Sequence, residues 1–394
     1  MSIIPYKDNI SSLRHISHKI TKPCYFGYYD LKAYDDDDRY HLCNIIDFEN
    51  RLQTADDVME LGVIEIETGN YEKIDTTKAW SFQQAAMLQW SGAEKDVVFY
   101  NVFENGEYMT VKNNIRTGSK SYSPICASIA QNGKVGVGIN FPRIYDYRPG
   151  YGYSCTKDKN FDVLQPKDDG VFLVDIEKGT QKLLLSYEEM VKRTGVQGLE
   201  NQKFVVNHIT MSPNGDKFML LLRNFAGLGG QIGTFLIVSD LEGNMKCLTP
   251  MVVYSHYHWK NNSELLGYCE VYGTRGMWIV NVDTGEWSLL PKEDWPGRDI
   301  HCLYSPDRRF FIGDNYPEDD GYRTIKIYDT KTNTTDIVVN SYSPWSLYGN
   351  TDLRCDLHNR WNTKGNKISF DTVQNGKREI WEVDFEEYFQ KKYK

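Results

Sequence analysis

The chain has 394 residues, of which 40% are hydrophobic and 25% charged, so it can bury the core of one large folded unit. Its net charge of −9 and the lack of a basic stripe argue against a nucleic-acid partner, because phosphate backbones bind basic surfaces. No stretch approaches the length of an apolar membrane span, residues 1–8 contain no hydrophobic signal region, and the eight cysteines form no C-x-x-C pair, so we expect a reduced, cytoplasmic protein.

A unit of short strands repeats along the chain. Each copy has an apolar strand, a turn and a second apolar strand, as in residues 210–219, whose turn reads Ser-Pro-Asn-Gly. The proline of this turn sets φ, and the glycine accepts a positive φ. A second hairpin follows each copy. Because strong turns separate runs of β-branched and aromatic residues, the pattern predicts strands rather than helices.

The copies predict a single all-β domain over residues 1–394, a β-propeller of seven blades. The blades are expected to start near Tyr40, Gln83, Ile125, Val206, Ser255, Asp299 and Asp356. The last blade runs out near residue 385 after three strands, whereas residues 13–21 alternate like a strand before the first blade. We therefore expect an N-terminal strand to complete the last blade and close the ring, which protects its edges from pairing with other chains.

Three insertions interrupt the repeat, at residues 48–61, 141–167 and 186–201. The first is charged and is expected to hold a helical turn. The second is rich in aromatic residues and glycine and carries Arg143 and Arg148, and the third reads as a helix with exposed acidic residues. Such loops commonly lie over one face of a ring and carry function.

Five of the eight histidines lie at corresponding places in the last four blades. His208 opens the fourth blade, His256 and His258 the fifth, His301 the sixth and His358 the seventh. Because the first strand of every blade runs along the central channel, residues at the same end of these strands converge on the axis. A lone histidine at a strand start is most often a satisfied structural residue, but four consecutive blades with the same placement favour a shared site.

The residue types of this site suit a metal ion. Asp356 shares a strand face with His358, and His256 shares one with His258, because side chains alternate with a period of two. Imidazoles with a carboxylate are ligands for a divalent transition metal, Mn²⁺ or Zn²⁺.

Other candidates are weaker. Gln83 and Gln84 open the second blade and could face the channel, and Arg143 or Arg354 could bind a carboxylate in bidentate fashion, although an arginine in a loop is more often solvated or ion-paired. The aromatic residues fill all-β cores and also stack on sugar rings. The sequence has no P-loop, no G-x-S-x-G elbow and no EF-hand spacing.

Four motifs together resemble a known family. They are His208-x-x-Met-Ser-Pro-Asn-Gly, His258-Trp, His301-x-x-Tyr-Ser-Pro-Asp and Asp356-x-His358-x-x-Trp, and they resemble the cytoplasmic oligogalacturonate lyases over the fourth to seventh blades. Those proteins are seven-bladed propellers that cleave small uronate oligomers with a Mn²⁺ held by histidines and a glutamine. The Ser-Pro-Asp-Gly part is shared by many propellers, including TolB-like ones. The family's Gln-x-x-His-x-His reads here Leu353-x-x-Asp356-x-His358, so the glutamine is absent and an aspartate replaces a histidine.

The resemblance implies a carbohydrate-active enzyme that binds an acidic oligosaccharide and cleaves it by β-elimination. A base removes the proton α to the uronate carboxylate, whose charge a metal ion or an arginine offsets, and the glycosidic oxygen leaves. Two alternatives stay open: a non-catalytic propeller that binds a glycan or a protein in a surface-polysaccharide pathway, and a glycoside hydrolase that uses the same pocket.

The resemblance also implies a role for each candidate residue. The metal, Mn²⁺ in preference to Zn²⁺, is expected on His301, Asp356 and His358, with His256 as a further ligand. The base is expected to be His208 or His258. The residues expected to bind the substrate are Arg143 or Arg354 for its carboxylate and Gln83, Tyr145, Arg148, Tyr151 and Tyr153 along the sugar groove.

Overall fold

The structure is a computed structural model that describes residues 3–5, 9–227, 232–291, 299–345 and 351–392. Two short strands, β1 (Ile4–Pro5) and β2 (Ser12–His15), precede seven consecutive antiparallel sheets, which correspond to the predicted blades. The first three sheets consist of β3 (Cys24–Tyr25), β4 (Tyr40–Ile45), β5 (Met59–Glu65) and β6 (Asn70–Thr77); β7 (Gln89–Trp90), β8 (Val97–Glu104), β9 (Glu107–Asn114) and β10 (Ser119–Pro124); and β11 (Ser128–Ile129), β12 (Val135–Gly138), β13 (Gly170–Asp175) and β14 (Thr180–Ser186).

The remaining four sheets follow the same order. They consist of β15 (Phe204–Met211), β16 (Lys217–Asn224), β17 (Gly233–Asp240) and β18 (Met245–Cys247); β19 (Val252–Trp259), β20 (Glu264–Val271), β21 (Thr274–Asn281) and β22 (Trp287–Leu289); β23 (Leu303–Tyr304), β24 (Phe310–Asp314), β25 (Tyr322–Asp329) and β26 (Thr334–Tyr342); and β27 (Arg360–Trp361), β28 (Lys367–Thr372) and β29 (Glu379–Asp384). A short pairing of β17 with β19 joins the fourth and fifth sheets.

The N-terminal segment closes the ring as predicted. Strand β2 pairs with β29 in antiparallel register, Leu13 opposite Val383, and so becomes the fourth strand of the last sheet. Strand β1 adds a fifth strand to the sixth sheet by pairing with β26, which the sequence did not predict. β1 and β2 thereby cover the outer edges of the sixth and seventh sheets, which would otherwise be free to pair with another molecule.

The first sheet begins earlier than expected. Its first strand is β3, and Tyr40, the predicted start, begins the second strand. Residues 26–33 follow β3 outside any regular strand and carry Tyr28 and Tyr29 into the centre of the ring. Just beyond them, one isolated bridge pairs Tyr34 with His41. The first strand of this sheet therefore lacks the turn that marks the other copies.

The insertions differ in structure. Residues 48–58 form a loop without a helix before β5. Helix α1 (Phe141–Tyr147) opens the second insertion, with the Asn140 side chain accepting a hydrogen bond from the amide of Arg143. Helix α2 (Tyr187–Arg193) lies in the third, and a C-terminal helix, α3 (Glu386–Lys392), follows the last sheet. None of the helices in the described ranges is long and apolar enough to cross a bilayer.

The core lies between the sheets. Residues 218–222 of β16 are all buried without the alternation of a half-exposed strand. A blade packs against a neighbour on each of its two faces, so both faces of its middle strands leave water. This packing holds the first strands of the sheets in place around the axis.

Candidate metal centre and axial pocket

Four histidines from the fourth to seventh sheets meet at the axis. The ring centroids of His256 and His301 are 4.0 Å apart, those of His301 and His358 4.4 Å, and those of His208 and His256 6.5 Å. All four side chains are buried. The structure therefore brings together His208, His256, His301 and His358.

Three residues of this group could hold a metal ion. His301, Asp356 and His358 place one ligand atom each within 4.8 Å of one another. The Nε2 atoms of His301 and His358 have no hydrogen-bond partner within the described ranges. A buried polar atom without a partner costs about 1–3 kcal/mol, and a metal ion would relieve this for both nitrogens at once. The donor set of two imidazoles and a carboxylate fits Mn²⁺ or Zn²⁺.

Asp314 orients two of these candidate ligands. It is fully buried; its Oδ1 accepts from Nδ1 of His301 at 2.6 Å and from the backbone amide of His301 at 3.1 Å, and its Oδ2 accepts from the backbone amide of His358 at 3.2 Å. With the proton on Nδ1, the lone pair of His301 lies on Nε2, as a metal ligand requires. Burial lowers the pKa of His301, but Asp314 outweighs it and the pKa is raised overall.

Two arginines neutralise Asp356. Nη1 of Arg323 lies 2.6 Å from one carboxylate oxygen, and Nε of Arg354 lies 2.8 Å from the other. Burial raises the pKa of Asp356, but the two guanidinium groups outweigh it and hold the pKa well below its usual range. One carboxylate between two guanidinium groups leaves this side of the site with an excess of positive charge.

His256 is held by a second carboxylate. Its Nδ1 lies 2.8 Å from Oδ1 of Asp299 and 3.1 Å from Oγ of Ser255. Burial lowers the pKa of His256 more than Asp299 raises it, so the imidazole is neutral at pH 7. With its proton directed at Asp299, the ring presents the Nε2 lone pair to the site.

Both ring nitrogens of His208 are already engaged. Nε2 of Gln84 lies 3.2 Å from Nδ1, and the hydroxyl of Tyr28 lies 3.0 Å from Nε2, with the tyrosine ring stacked on the imidazole. Burial holds the pKa of His208 well below its usual range. The backbone φ is +69° at His208 and +43° at His358, a region that non-glycine residues rarely adopt and that is stabilised here by the packing around the axis.

His208 and His256 line a cavity of about 240 Å³, and the candidate ligand His301 lies directly beside His256. The residues around its mouth are Arg148, Tyr151, Arg223, Tyr316, Trp345 and Arg354. Arg223 is 2% exposed and makes no ion pair with a carboxylate in the described part of the chain. Its Nη1 donates to Oδ1 of Asn207 at 2.5 Å, and its Nε has no partner. A buried guanidinium without a counter-ion indicates an anionic ligand, because burying an unpaired charge is unfavourable.

No family model matches the chain, and no curated protein matches it. Among solved structures, the chain is similar to an oligogalacturonate lyase from Vibrio parahaemolyticus, with a TM-score of 0.67 and 12% identity over 98% of this chain and 96% of the other. An oligogalacturonate lyase in complex with manganese gives the same values. Puromycin hydrolase has a TM-score of 0.53 and 11% identity over 98% of this chain and 55% of its own.

The fold is a seven-bladed β-propeller. The distant resemblance to oligogalacturonate lyases that the last four blades carry in sequence is confirmed, and the similarity of fold extends over nearly the whole chain. At 12% identity the comparison establishes the fold.

Three residues predicted to bind the substrate lie at the mouth of the cavity. Nη2 of Arg354 donates to the hydroxyl of Tyr151 at 2.8 Å, and the guanidinium of Arg148 lies 4.2 Å from the centre of the Tyr151 ring. Arg148 also pairs with Asp352 at 3.3 Å. This group sets the position of the second insertion against the last blade.

The structure places Arg143 and Gln83 away from the axial pocket. Arg143 is fully buried, pairs with Asp158 at 3.1 Å and donates to the carbonyl of Phe204 at 2.8 Å, so it stabilises the second insertion and cannot reach a substrate. Gln83 donates to the carbonyls of Asp352 and Arg354. Its neighbour Gln84 is the one that faces the channel, because a turn at residues 81–85 points the two side chains in different directions.

Two of the three predicted groove tyrosines also lie elsewhere. The hydroxyl of Tyr145 donates to the carbonyl of Gln53 at 3.4 Å, and its side chain lines a different surface pocket. Tyr153 is fully buried, and its ring stacks on Phe141 with the centroids 4.1 Å apart. Aromatic residues of this insertion mainly pack its own core.

His258 does not reach the metal centre. It lies two residues beyond His256 on β19, which is about 6.6 Å along a strand. Its Nδ1 accepts from the backbone amide of Tyr304 at 3.3 Å, and its side chain lines a separate cavity at the far ends of the first strands. Both histidines face the channel, but at different depths.

Sequence reasoning missed the roles of several buried charged residues. Asp314 ends the apolar run of β24, and Arg223 lies near the end of the apolar run of β16. A charged residue that follows a fully apolar strand is the one available signal, because such a residue is buried only where a partner or a ligand compensates it.

Proposed function

We propose that the protein is a metal-dependent lyase that cleaves uronate-containing oligosaccharides by β-elimination in the axial pocket. The observation that carries this proposal is the imidazole of His256, held by Asp299 at 2.8 Å and lying 4.0 Å, centroid to centroid, from the candidate ligand His301. β-Elimination needs a base beside the group that offsets the charge of the substrate carboxylate. The fold shared with oligogalacturonate lyases supports the same reaction class.

The ligand set is assigned to His301, Asp356 and His358. Mn²⁺ is preferred because a protein of the same fold is described in complex with manganese, and Zn²⁺ fits the same donors. A divalent ion there would polarise the substrate carboxylate and make the proton at the adjacent carbon more acidic. Asp314 holds the two histidines in the orientation that this requires.

We assign the base to His256. Asp299 orients its ring and would stabilise the imidazolium that forms when Nε2 takes the proton, as the carboxylate does in other His–Asp pairs. His208 is less suited because both of its nitrogens are engaged by Gln84 and Tyr28. His258 lies in the other cavity. His256 therefore takes the role that the sequence assigned to His208 or His258.

The arginines recognise the acidic substrate. Arg223 has no carboxylate partner in the described ranges, and Arg354 and Arg148 lie on the same wall of the mouth. Planar guanidinium groups bind carboxylates with two parallel hydrogen bonds. At this mouth they would hold the carboxylates of the reacting uronate and of its neighbour.

An aromatic pair at the rim is suited to the sugar rings. Trp345 is 42% exposed and stacks on Tyr316, with the ring centroids 5.2 Å apart. Their exposed surface can pack against the apolar face of a sugar, and the small cavity admits the end of a chain rather than its middle. We therefore propose short oligosaccharides as substrates.

The cellular setting follows from the same reasoning. All eight cysteines are free thiols, which is typical of a reducing compartment, so we propose a cytoplasmic enzyme. We also propose that residues 1–394 act as one domain, supported by β2, which belongs to the last sheet.

The experiment is an elimination assay with matched variants. The protein is incubated with Mn²⁺ and with di- and trisaccharides of galacturonate and glucuronate, and the ultraviolet absorbance of the unsaturated product is followed. His256→Gln is expected to lower kcat by about 10²–10⁴-fold, the usual contribution of a general base. His258→Gln, on the same strand but in the other cavity, is the control and is expected to stay within about twofold of the unmodified enzyme.

Three outcomes would contradict the proposal. No absorbance with any uronate oligomer in Mn²⁺ or Zn²⁺ would favour a glycan-binding propeller. New reducing ends without the unsaturated product would show a hydrolase. Equal losses in His256→Gln and His258→Gln would remove the assignment of the base.

A further inference from the structure

A second cavity, of about 340 Å³, lies at the opposite end of the channel. It is bordered by the far ends of the first strands, including Thr210 on β15 and His258 on β19, whereas the metal centre lies near their starts. Tyr28 and Tyr29 stand between the two cavities: Tyr28 bonds His208, and Tyr29 donates to the carbonyl of Tyr257 at 2.8 Å. The second cavity therefore lies on the other side of these tyrosines, and only His208 borders both cavities among the residues that line them.

This lining is rich in neutral hydrogen-bonding groups. Side chains of Gln84, Gln89, Ser128 and Thr210 border it. His258 adds a donor: its Nδ1 accepts from Tyr304, so the neutral ring carries its proton on Nε2. Burial, with a contribution from Arg308, lowers the pKa of His258 to about 3, so the ring stays neutral. Many donors and acceptors around one cavity suit a ligand with several hydroxyl groups.

Two charged side chains in the same cavity have no charged partner among the residues that the structure describes. The carboxylate of Asp30 accepts hydrogen bonds from Oγ1 of Thr210, at 3.2 Å, and from its own backbone amide, and it forms no ion pair with a basic residue among the residues described. The guanidinium of Arg308 is half-buried and makes neither an ion pair nor a side-chain hydrogen bond within the same ranges. Burial lowers the pKa of Arg308 and raises that of Asp30 to about 6, because the charged form of each side chain is poorly solvated.

Lys32, in contrast to Arg308, has a charged partner. It borders the same cavity, but its ammonium group pairs with Asp36 and also donates to the carbonyl of Ser91 at 3.3 Å. The charge of Lys32 is thus compensated within the protein, whereas Arg308 has no ion pair among the described residues. Among the described residues, the groups of this cavity wall without an ion pair are thus one cation and one anion, and the rest of the wall combines neutral polar with apolar side chains.

We propose that this cavity binds one acidic monosaccharide, a single hydroxylated ring with one carboxylate. Asp30 would accept hydrogen bonds from ring hydroxyls, Arg308 would pair with the carboxylate, and His258 would donate to a further oxygen. A volume of about 340 Å³ lies at the lower end of the range for small-molecule sites and suits one ring rather than a chain. This site is independent of the proposed lyase activity, because it shares no charged residue with the metal centre.

Calorimetric titration of the full-length, chelator-treated protein tests the site, with D-galacturonate and D-glucuronate as probes and D-galactose as the ligand without a carboxylate. We expect at least one of the two acids to bind, with galactose at least tenfold weaker. Arg308→Gln is expected to weaken acid binding at least tenfold. Arg275→Gln, an exposed arginine that lines neither cavity, is the matched control and is expected to leave acid binding within twofold.

Asp30→Asn provides a second test, with its fold checked by thermal melting, and is expected to weaken both acids and galactose because it changes the hydroxyl contacts. If that variant does not fold, Arg308→Gln still decides, since the Arg308 side chain has no ion pair to lose within the described part of the chain. Binding of neither acid to the unmodified protein would overturn the proposal. So would galactose binding as tightly as the acids, or a loss in Arg354→Gln, in the axial pocket, with none in Arg308→Gln.

Discussion

Replacing Asp314 by asparagine perturbs the proposed metal centre without changing a ligand. The carboxylate accepts from Nδ1 of His301 at 2.6 Å through one oxygen and from the backbone amide of His358 at 3.2 Å through the other. An amide keeps one acceptor and turns an NH₂ group towards the other donor. The variant therefore loses one hydrogen bond to a charged group, about 1.5–3 kcal/mol, and the tautomer of His301 is no longer enforced.

We expect this loss to weaken Mn²⁺ binding by about 10- to 100-fold, the usual effect of removing the partner of a metal-bound histidine. The assay is titration of the chelator-stripped protein with Mn²⁺ at pH 7, followed by electron paramagnetic resonance of the free ion, with thermal melting to confirm the fold. Asp299→Asn is the matched control, because Asp299 holds His256, which we assign as the base and not as a ligand. This control should lose elimination activity and keep its Mn²⁺ affinity within about twofold.

Two results would refute the reasoning. Unchanged Mn²⁺ affinity in Asp314→Asn would show that His301 is not a ligand. Equal weakening in Asp314→Asn and Asp299→Asn would show that His256 binds the metal, as the sequence first suggested, and would leave the reaction without its assigned base.

Three further predictions concern the fold. Arg143→Ala leaves Asp158 buried without its cation, so we expect a loss of about 3–5 kcal/mol in urea unfolding with Mn²⁺ affinity unchanged; a loss below 1 kcal/mol would contradict the role of this pair. Burial lowers the pKa of His41 to about 3. Below pH 6.5 the unfolded chain therefore binds a proton at His41 that the folded chain does not bind, so the free energy of unfolding falls as the pH falls. At pH 5 this amounts to about 2 kcal/mol, and urea unfolding at pH 7 and pH 5 should show a smaller difference in His41→Gln than in the unmodified protein; an equal difference would assign the effect to other groups. Deletion of residues 1–16 removes β2 and exposes the edge of β29, so light scattering should show concentration-dependent association, and a monodisperse truncated protein would mean that another segment covers this edge.

Much of the architecture could be predicted from local pattern. The turn at residues 212–215 has Gly215 at a φ of +70°, and its amide donates to the carbonyl of Ser212, as Ser-Pro-Asn-Gly implies. Ring closure by β2 also followed from the sequence, since the last blade lacked one strand. The start of the first blade was missed because residues 26–33 carry no turn of the repeat and instead enter the channel.

The candidate site was predicted only in part. The repeated placement of His208, His256, His301 and His358 identified their meeting point, because equivalent strand positions converge on the axis of a ring. The positions of loop residues were predicted poorly. Arg143 and Arg148 belong to the same insertion, rich in aromatic residues and glycine, but Arg143 lies in its core whereas Arg148 lies at the mouth of the cavity. The path of a loop depends on packing against distant segments, which its own residues do not encode.

The sequence by itself determined the class of fold, the number of blades, the way the ring closes and the histidines that meet at its centre, because these depend on turn chemistry and on a repeat that recurs every few tens of residues. The tertiary structure alone decided what each polar group does there. It separated His256 from His258 by depth along one strand, paired Asp314 and Asp299 with different imidazoles and left Arg223 without a counter-ion among the described residues. Charge compensation in a buried site is set by distances between residues far apart in the chain, and only the folded ring brings those residues together.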